Sequence, residues 1–229
     1  MSRVLHFILL LAAGDAALLV LLDANLLFAQ PAVVRGSTAA VSERLIEVYS
    51  RRFGAEARER LQSWKRYAAE RKGSALAERE LLADVNRMLN RIRFVDDAVH
   101  WGEADYWATP AEAVGSGGAD CEDFSIAKYF LLKELGVPIS RLRMTYVKAS
   151  KLNQAHMVLA YYPRPDAEPL VLDNLEDAVR PASQRRDLVP VYSFNDEEVW
   201  IEARGRSGPP SQIRNWNELL QRLEREART

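Results

Sequence analysis

The sequence predicts an α+β fold on three observations. Apolar residues recur every three to four positions as far as Leu135, and every second position after Pro138. Between the two regimes stands Gly136-Val137-Pro138, a glycine just past a helix with a proline beyond it. The 229 residues suffice for one sizeable domain with appendages, with a core that needs no covalent staple. A single cysteine excludes an intrachain disulfide. Lys plus Arg number 31 against 32 Asp plus Glu, so the charge balance points to no nucleic acid and no generally anionic partner.

Residues 1–30 carry one arginine, Arg3, then a long apolar run to Phe28-Ala29-Gln30 before Pro31. This reads as an export signal or a membrane anchor, and either places the remainder outside the cytoplasm. Asp15 and Asp23 interrupt the run, each costly at bilayer depth. Residues 32–38 are small and irregular, as in a linker. The main domain is read over 38–204. Its first helix carries Val41, Leu45, Val48, Tyr49 and Phe53 on one face and ends at Gly54. A second spans about Ala55 to Glu70 with Leu61, Trp64, Tyr67 and Ala68 inward, and a third about Ala75 to Ile92. The outer faces are charged, as on helices packed around one domain. From Phe94 to Pro110 the aromatic residues fall too close together for one helix face, and a structured loop is expected.

A helix from about Asp120 to Leu135 follows, with Phe124, Ala127, Leu131 and Leu135 as its inner stripe. Beyond it, Arg143–Lys148, Ala155–Tyr162 and Pro169–Asn174 read as strands of an antiparallel meander, given the tight polar connections between them. A further strand, Val189–Phe194, is expected at a sheet edge because Pro190 cannot donate to a ladder. Residues 205–229 read as a hinge at Ser207-Gly208-Pro209-Pro210 and an amphipathic helix with Ile213, Trp216, Leu219, Leu220 and Leu223 on one side.

The only cysteine, Cys121, opens the predicted helix within Gly118-Ala119-Asp120-Cys121-Glu122-Asp123-Phe124. Unpaired N–H groups at a helix start favour the thiolate, whereas the three acids around Cys121 oppose it. The later strands bear His156 and Asp173. Of three histidines His6 lies in the export segment, leaving His156 and His100 as candidate bases. Thiol chemistry needs a base and a group to orient it, converging in space rather than in sequence. Taken singly, each residue has a plainer reading: Cys121 as a small buried hydrophobe, His156 as a core histidine, Asp173 as a strand-end turn residue. Cys, His and Asp in this order, on helix, strand and strand, favour the joint reading. The acids around Cys121 can equally complement the helix dipole.

Several separated segments then resemble one family. They are Arg93–Asp97, Asp105–Pro110, Gly118–Tyr129, Asn153–Leu159 and Leu172–Asn174, in matching order and spacing over about Val41 to Ile201. The chain resembles the bacterial transglutaminase-like cysteine proteinases, whose members include LapG-type periplasmic proteases. The resemblance implies a papain/transglutaminase-like core with N-terminal helices, a cysteine-bearing helix and an antiparallel sheet. It implies Cys121 as nucleophile, His156 as base and Asp173 as orienting acid. It also implies calcium dependence, with Asp120 and Glu122 as ligands and Asp123 as a third. Carboxylates suit Ca²⁺ better than zinc, and its shell of about 6–8 oxygens needs more donors, from backbone, water, Asp96, Asp97 or Asp105. Their spacing is not that of an EF-hand.

The implied activity is peptide hydrolysis through an acyl-enzyme, with the Cys121 N–H as one oxyanion donor. An indole from Trp101 or Trp107 is a weaker candidate for the second. The same residues fit acyl transfer to an amine, and a calcium-dependent peptide-binding module is the non-enzymatic alternative. The resemblance further implies a periplasmic location, a large surface adhesin cut near its N-terminus as substrate, control of biofilm attachment, and an inner-membrane cyclic-di-GMP receptor as partner.

Overall fold

The computed structural model describes residues 41–74, 76–202 and 205–229. The N-terminal export or anchor segment lies outside them. None of the described helices is long and apolar enough to cross a membrane.

Helix α1 (Glu43–Phe53) starts where the Ser42 hydroxyl accepts the Leu45 N–H at 2.9 Å, and it carries Glu43 in its first turn with Arg51 and Arg52 in its last. Gly54, at φ 89°, ends α1 and leads directly into α2 (Ala55–Arg71). Helix α3 (Glu78–Leu89) completes the first layer, burying Leu81, Leu82, Val85 and Leu89. The aromatic stretch is largely loop, as expected, and includes strand β1 (Arg93–Phe94) and helix α4 (Asp97–His100). Helix α5 (Pro110–Ser116) has a full capping box, in which Thr109 and Glu112 each accept the other's backbone N–H, and Pro110 occupies its first turn.

Helix α6 (Cys121–Glu134) is the axis of the domain. The sequence suggested one inner stripe, but every residue from Asp123 to Leu132 is buried. Strands β3 to β5, α3 and α5 all pack against α6, so its middle has no solvent face.

Strands β3 (Leu142–Ala149), β4 (Gln154–Tyr161), β5 (Leu170–Asp173), β6 (Glu176–Pro181), β7 (Leu188–Phe194), β8 (Val199–Ile201) and β9 (Gly205–Gly208) form one antiparallel sheet. Their order is β6-β5-β4-β3-β7-β8-β9. Strands β3 to β5 make the expected meander, and β6, which the sequence pattern did not suggest, extends it. Strand β7 does not lie at the edge: it pairs with β3 on one side and β8 on the other. Pro190 is accommodated because the β3–β7 register shifts beside it, Tyr146 facing Tyr192 and Val147 facing Pro190, so Val191 is bulged out. The edges are β6 and β9, and the Asn86 side chain of α3 donates to the Glu176 and Asp177 carbonyls of β6.

Where the sequence suggested a hinge, Gly205–Gly208 pairs with β8 and a short 3₁₀ turn follows at Pro210–Gln212. Helix α7 (Arg214–Ala227) then inserts Trp216, fully buried, against Tyr129, Phe130 and Phe194. Its apolar face thereby completes the core around α6.

Candidate active site

The turn that delivers Cys121 is built by glycine. Gly117 closes α5 at φ 74°, and Gly118 begins strand β2 (Gly118–Ala119), which runs parallel to β1. A Cβ on Gly118 would stand 2.7 Å from the His100 ring, so only glycine lets that ring lie against the backbone. His100 Nε2 is 2.8 Å from the Ser116 hydroxyl, which gives this second candidate base a structural role in the turn. Asp120 is the N-cap of α6, yet its side chain makes no bond to the helix backbone.

Helix α6 is pinned to β4 by Ser125, whose hydroxyl lies 3.0 Å from the Cys121 carbonyl and 3.1 Å from that of Met157. This sets the start of the helix beside the strand that carries His156. The Cys121 thiol is part-buried and donates to Glu122 Oε2 at 3.0 Å. Burial first, then the Glu122 and Asp120 charges, push the thiol far above its ordinary range, with the Met157 backbone opposing.

At the other end, buried His156 meets Asp173 through Nε2 and Oδ1 at 2.9 Å. That bond engages Nε2 and leaves Nδ1 as the other ring nitrogen. Asp173 Oδ1 also accepts the Leu175 N–H at 3.0 Å, and Oδ2 accepts from Arg185 Nη2 at 2.8 Å. Burial alone raises this carboxyl, but the His156 bond and charge, the Leu175 N–H and Arg185 outweigh it and hold it at about 2.

The acids near Cys121 divide. Asp97, Asp120 and Glu122 bring one oxygen each to within 4.8 Å of one another. Asp97 Oδ1 and Asp120 Oδ1 are buried without a hydrogen-bond partner. Burial, and then Glu122 and its neighbours, push Asp120 up to about 10, while burial raises Asp97 and Glu122. Converging, under-satisfied carboxylate oxygens fit a hard cation. Asp123 does not join this group as the third oxygen donor. Its Oδ1 accepts the Ala108 N–H at 2.6 Å, tying the aromatic loop to α6. Its Oδ2 is buried without a partner, and the oxygen that converges with Asp120 and Glu122 is that of Asp97, more than twenty positions earlier in the chain. Asp105 is engaged elsewhere, by Trp107 Nε1 at 2.9 Å and Asn215 Nδ2 at 2.7 Å, and Asp96 is exposed.

The Trp107 indole is spent on Asp105 and its ring stacks on Phe194, so it has no free donor. Trp101 is edge-on to Phe53 and His100, and its indole N–H is buried without a partner. Sequence reasoning missed two cations. Arg185, buried, grips Asp173, and Lys128, two turns along α6 from Cys121, is buried with its Nζ 5.7 Å from the Phe124 ring centroid. Burial pushes Lys128 down to about 7, against the pull of Asp173 and Asp177. The 3.6-residue period already placed Lys128 beneath Cys121 on the helix, but nothing in the sequence singled out Arg185.

A thiol that opens a buried helix, set against an antiparallel sheet bearing an acid-paired histidine, defines a papain- and transglutaminase-like thiol hydrolase. The chain belongs to the bacterial transglutaminase-like cysteine proteinases, whose family model matches residues 52–207, and is thus a cysteine peptidase. It is similar to the solved structure of Legionella pneumophila LapG, with 38% identity, a TM-score of 0.71, and coverage of 82% of this chain and 98% of that one. The EGTA-treated form of that protein matches at 37% identity and TM-score 0.71, covering 80% and 98% of the two chains. Its calcium-bound form matches at 38% and 0.69, covering 80% and 99%. No curated protein matches the chain.

Proposed function

We propose that this protein is a calcium-dependent, periplasmic cysteine endopeptidase that cuts the N-terminal region of a large cell-surface adhesin, with Cys121, His156 and Asp173 as its catalytic triad. The observation that carries the catalytic reading is Asp173. A buried carboxylate, with both oxygens engaged and one of them on His156 Nε2, is suited to fix the tautomer and orientation of a general base. Calcium dependence is supported by the unpartnered Oδ1 atoms of Asp97 and Asp120, by the convergence of Glu122 on them, and by the calcium-bound form of the similar Legionella protein. The adhesin, its link to biofilm attachment and regulation by an inner-membrane cyclic-di-GMP receptor rest on the family resemblance alone.

In this mechanism the Cys121 sulfur attacks the scissile carbonyl carbon, and the N–H that opens α6 donates to the oxyanion. His156 takes the thiol proton and delivers it to the leaving amine, producing a thioester on Cys121 and a free amino terminus. His156 then takes a proton from water, whose oxygen attacks the thioester, releasing a carboxylate product and restoring the thiol. Asp97, Asp120 and Glu122 would hold the cation, whose positive charge offsets the carboxylates that otherwise oppose a thiolate beside them.

The test is incubation of the purified protein with candidate adhesin N-termini, in calcium and in chelator. Specific cleavage that chelation stops and calcium restores is expected. Cleavage unaffected by chelation removes the calcium role, and preferential incorporation of a labelled amine replaces hydrolysis with acyl transfer.

A further inference from the structure

The triad explains one oxygen of Asp173 and leaves the other to account for. Oδ1 receives His156 Nε2 and the Leu175 N–H, whereas Oδ2 receives Arg185 Nη2. Arg185 comes from the loop after β6, where it caps a short 3₁₀ turn, Ala182–Gln184. It is 7% exposed, so its interaction with Asp173 is shielded from solvent. The other edge of its guanidinium is anchored by Asp187, with Nε 3.2 Å from Oδ1 and Nη2 3.1 Å from Oδ2, and Glu176 Oε2 stands 3.9 Å from Nε. The guanidinium plane is therefore set by Asp187 before it meets Asp173. A planar fork can serve two carboxylates this way, which a lysine ammonium cannot reproduce.

We infer that Arg185 is a positioning residue of the active site, which locks the Asp173 carboxylate in the rotation that aims Oδ1 at His156. This rests on Asp173 acting as the orienting acid. Without Arg185, Oδ2 becomes a buried anionic oxygen lacking its charged donor, and the carboxylate turns to find another. His156 then loses its fixed orientation, although neither His156 nor Cys121 has been touched. Arg185 also lines a cavity of about 550 Å³ with Lys151, Leu152, Leu175, Arg180 and Gln184. Truncating the arginine thus leaves a hole of guanidinium shape that a small solute can reach from that cavity.

Cys121 is the only cysteine, so alkylation by iodoacetamide reports one site. The rate is measured on the full chain with calcium present, beside thermal melting. Arg185→Ala should alkylate about tenfold more slowly than the parent, the scale of one charge-assisted hydrogen bond. Arg185→Lys should recover part of the loss. Added guanidinium chloride, well below denaturing concentration, should restore the Arg185→Ala rate where potassium chloride does not. A parental rate in Arg185→Ala overturns the inference, as does a slow rate in a cooperatively melting variant that neither lysine nor guanidinium improves. If Arg185→Ala does not fold, Asp187→Asn carries the test: it removes the anchor while sparing Asp173, and an unchanged rate overturns the inference. His156→Ala and Asp173→Asn separate the two levels. If both alkylate at the parental rate, the triad reading itself fails. If both are slow while the Arg185 and Asp187 variants are not, only the role of Arg185 falls.

Discussion

The two ends of the catalytic line are built to opposite electrostatic rules. Around Asp173 each charge has its counterpart: the carboxylate accepts from His156, Leu175 and Arg185, and sits at about 2 despite burial. Around Cys121 the same burial acts on three converging carboxylates that repel one another, and Asp120 is driven up to about 10. The difference shows which part of the site the chain finishes by itself. The histidine end pairs its carboxylate with side chains of the chain itself, while the thiol end gathers carboxylate oxygens that suit a cation.

The strongest way to break this comparison is to remove the reacting groups, one from each end. Cys121→Ala and His156→Ala should each lower peptide hydrolysis by about 10⁴-fold or more, since members of such a triad act as a unit. Thermal melting should stay cooperative in both. Retained turnover in purified Cys121→Ala would remove the nucleophile assignment, and loss confined to one of the pair would mean that the two ends do not act together.

The next effect belongs to the thiol end alone. On the proposed reading, calcium at a hundredfold excess over its dissociation constant should stabilise the folded state by about 2.7 kcal/mol, or roughly 5–10 °C in melting temperature for a domain of this size. Asp120→Asn combined with Glu122→Gln should abolish that shift. Asp123→Asn should keep it, provided the variant folds, because Asp123 bonds to Ala108. A melting temperature indifferent to calcium and chelator in the parent would mean that the three acids hold no cation.

The histidine end predicts a pH signature instead. The Asp173 carboxyl is lowered from 3.8 to about 2 on folding, so its stabilisation is fully present above about pH 4 and is lost as pH falls through 2. A shift of that size corresponds to about 2 kcal/mol. Asp173→Asn should therefore be less stable than the parent in urea unfolding at pH 7, with the gap closing as pH approaches 2. A gap independent of pH would mean that the charge of Asp173 contributes nothing to the fold.

Legibility in the sequence followed the range of the interaction. Helices α1 to α3, the cysteine helix and the β3–β5 meander were readable because periodicity and Gly/Pro punctuation are local signals. Pro190 misled in placing β7 at an edge: the missing N–H is absorbed by a register shift against β3 that depends on the partner strand. Ser207-Gly208-Pro209-Pro210 has the composition of a hinge, yet pairing with β8 and the burial of Trp216 decide its structure. At the site, Cys121, His156 and Asp173 stood out through residue type and order. Asp97 replaced Asp123 in the acid group because direction along a helix turn, rather than adjacency to Cys121, sets where a carboxylate points. Arg185 was invisible, since any of many arginines can supply one buried counter-charge.

The smallest effect concerns the one group that breaks the rule at the well-matched end. Lys128 is buried in α6 beneath the triad and faces the aromatic ring of Phe124 rather than a carboxylate oxygen. Burial lowers it to about 7, with the attraction of Asp173 and Asp177 only partly offsetting the loss of water. A lysine at 10.5 when unfolded and about 7 when folded must give up stability to stay charged. The unfolded chain binds the extra proton between those values, so stability rises with pH across that window, and the penalty is complete below about pH 7. Lys128→Met keeps the stem and removes the charge. It should raise stability by roughly 1–2 kcal/mol at pH 6, where a buried charge is often worse than an apolar side chain of similar shape. The gain should shrink toward zero as pH nears 10.5. Urea unfolding of both proteins at pH 6 and pH 10 decides the point. A variant less stable than its parent at pH 6 would mean that Lys128 is a needed counter-charge for Asp173, and that the histidine end depends on two cations rather than on Arg185 alone.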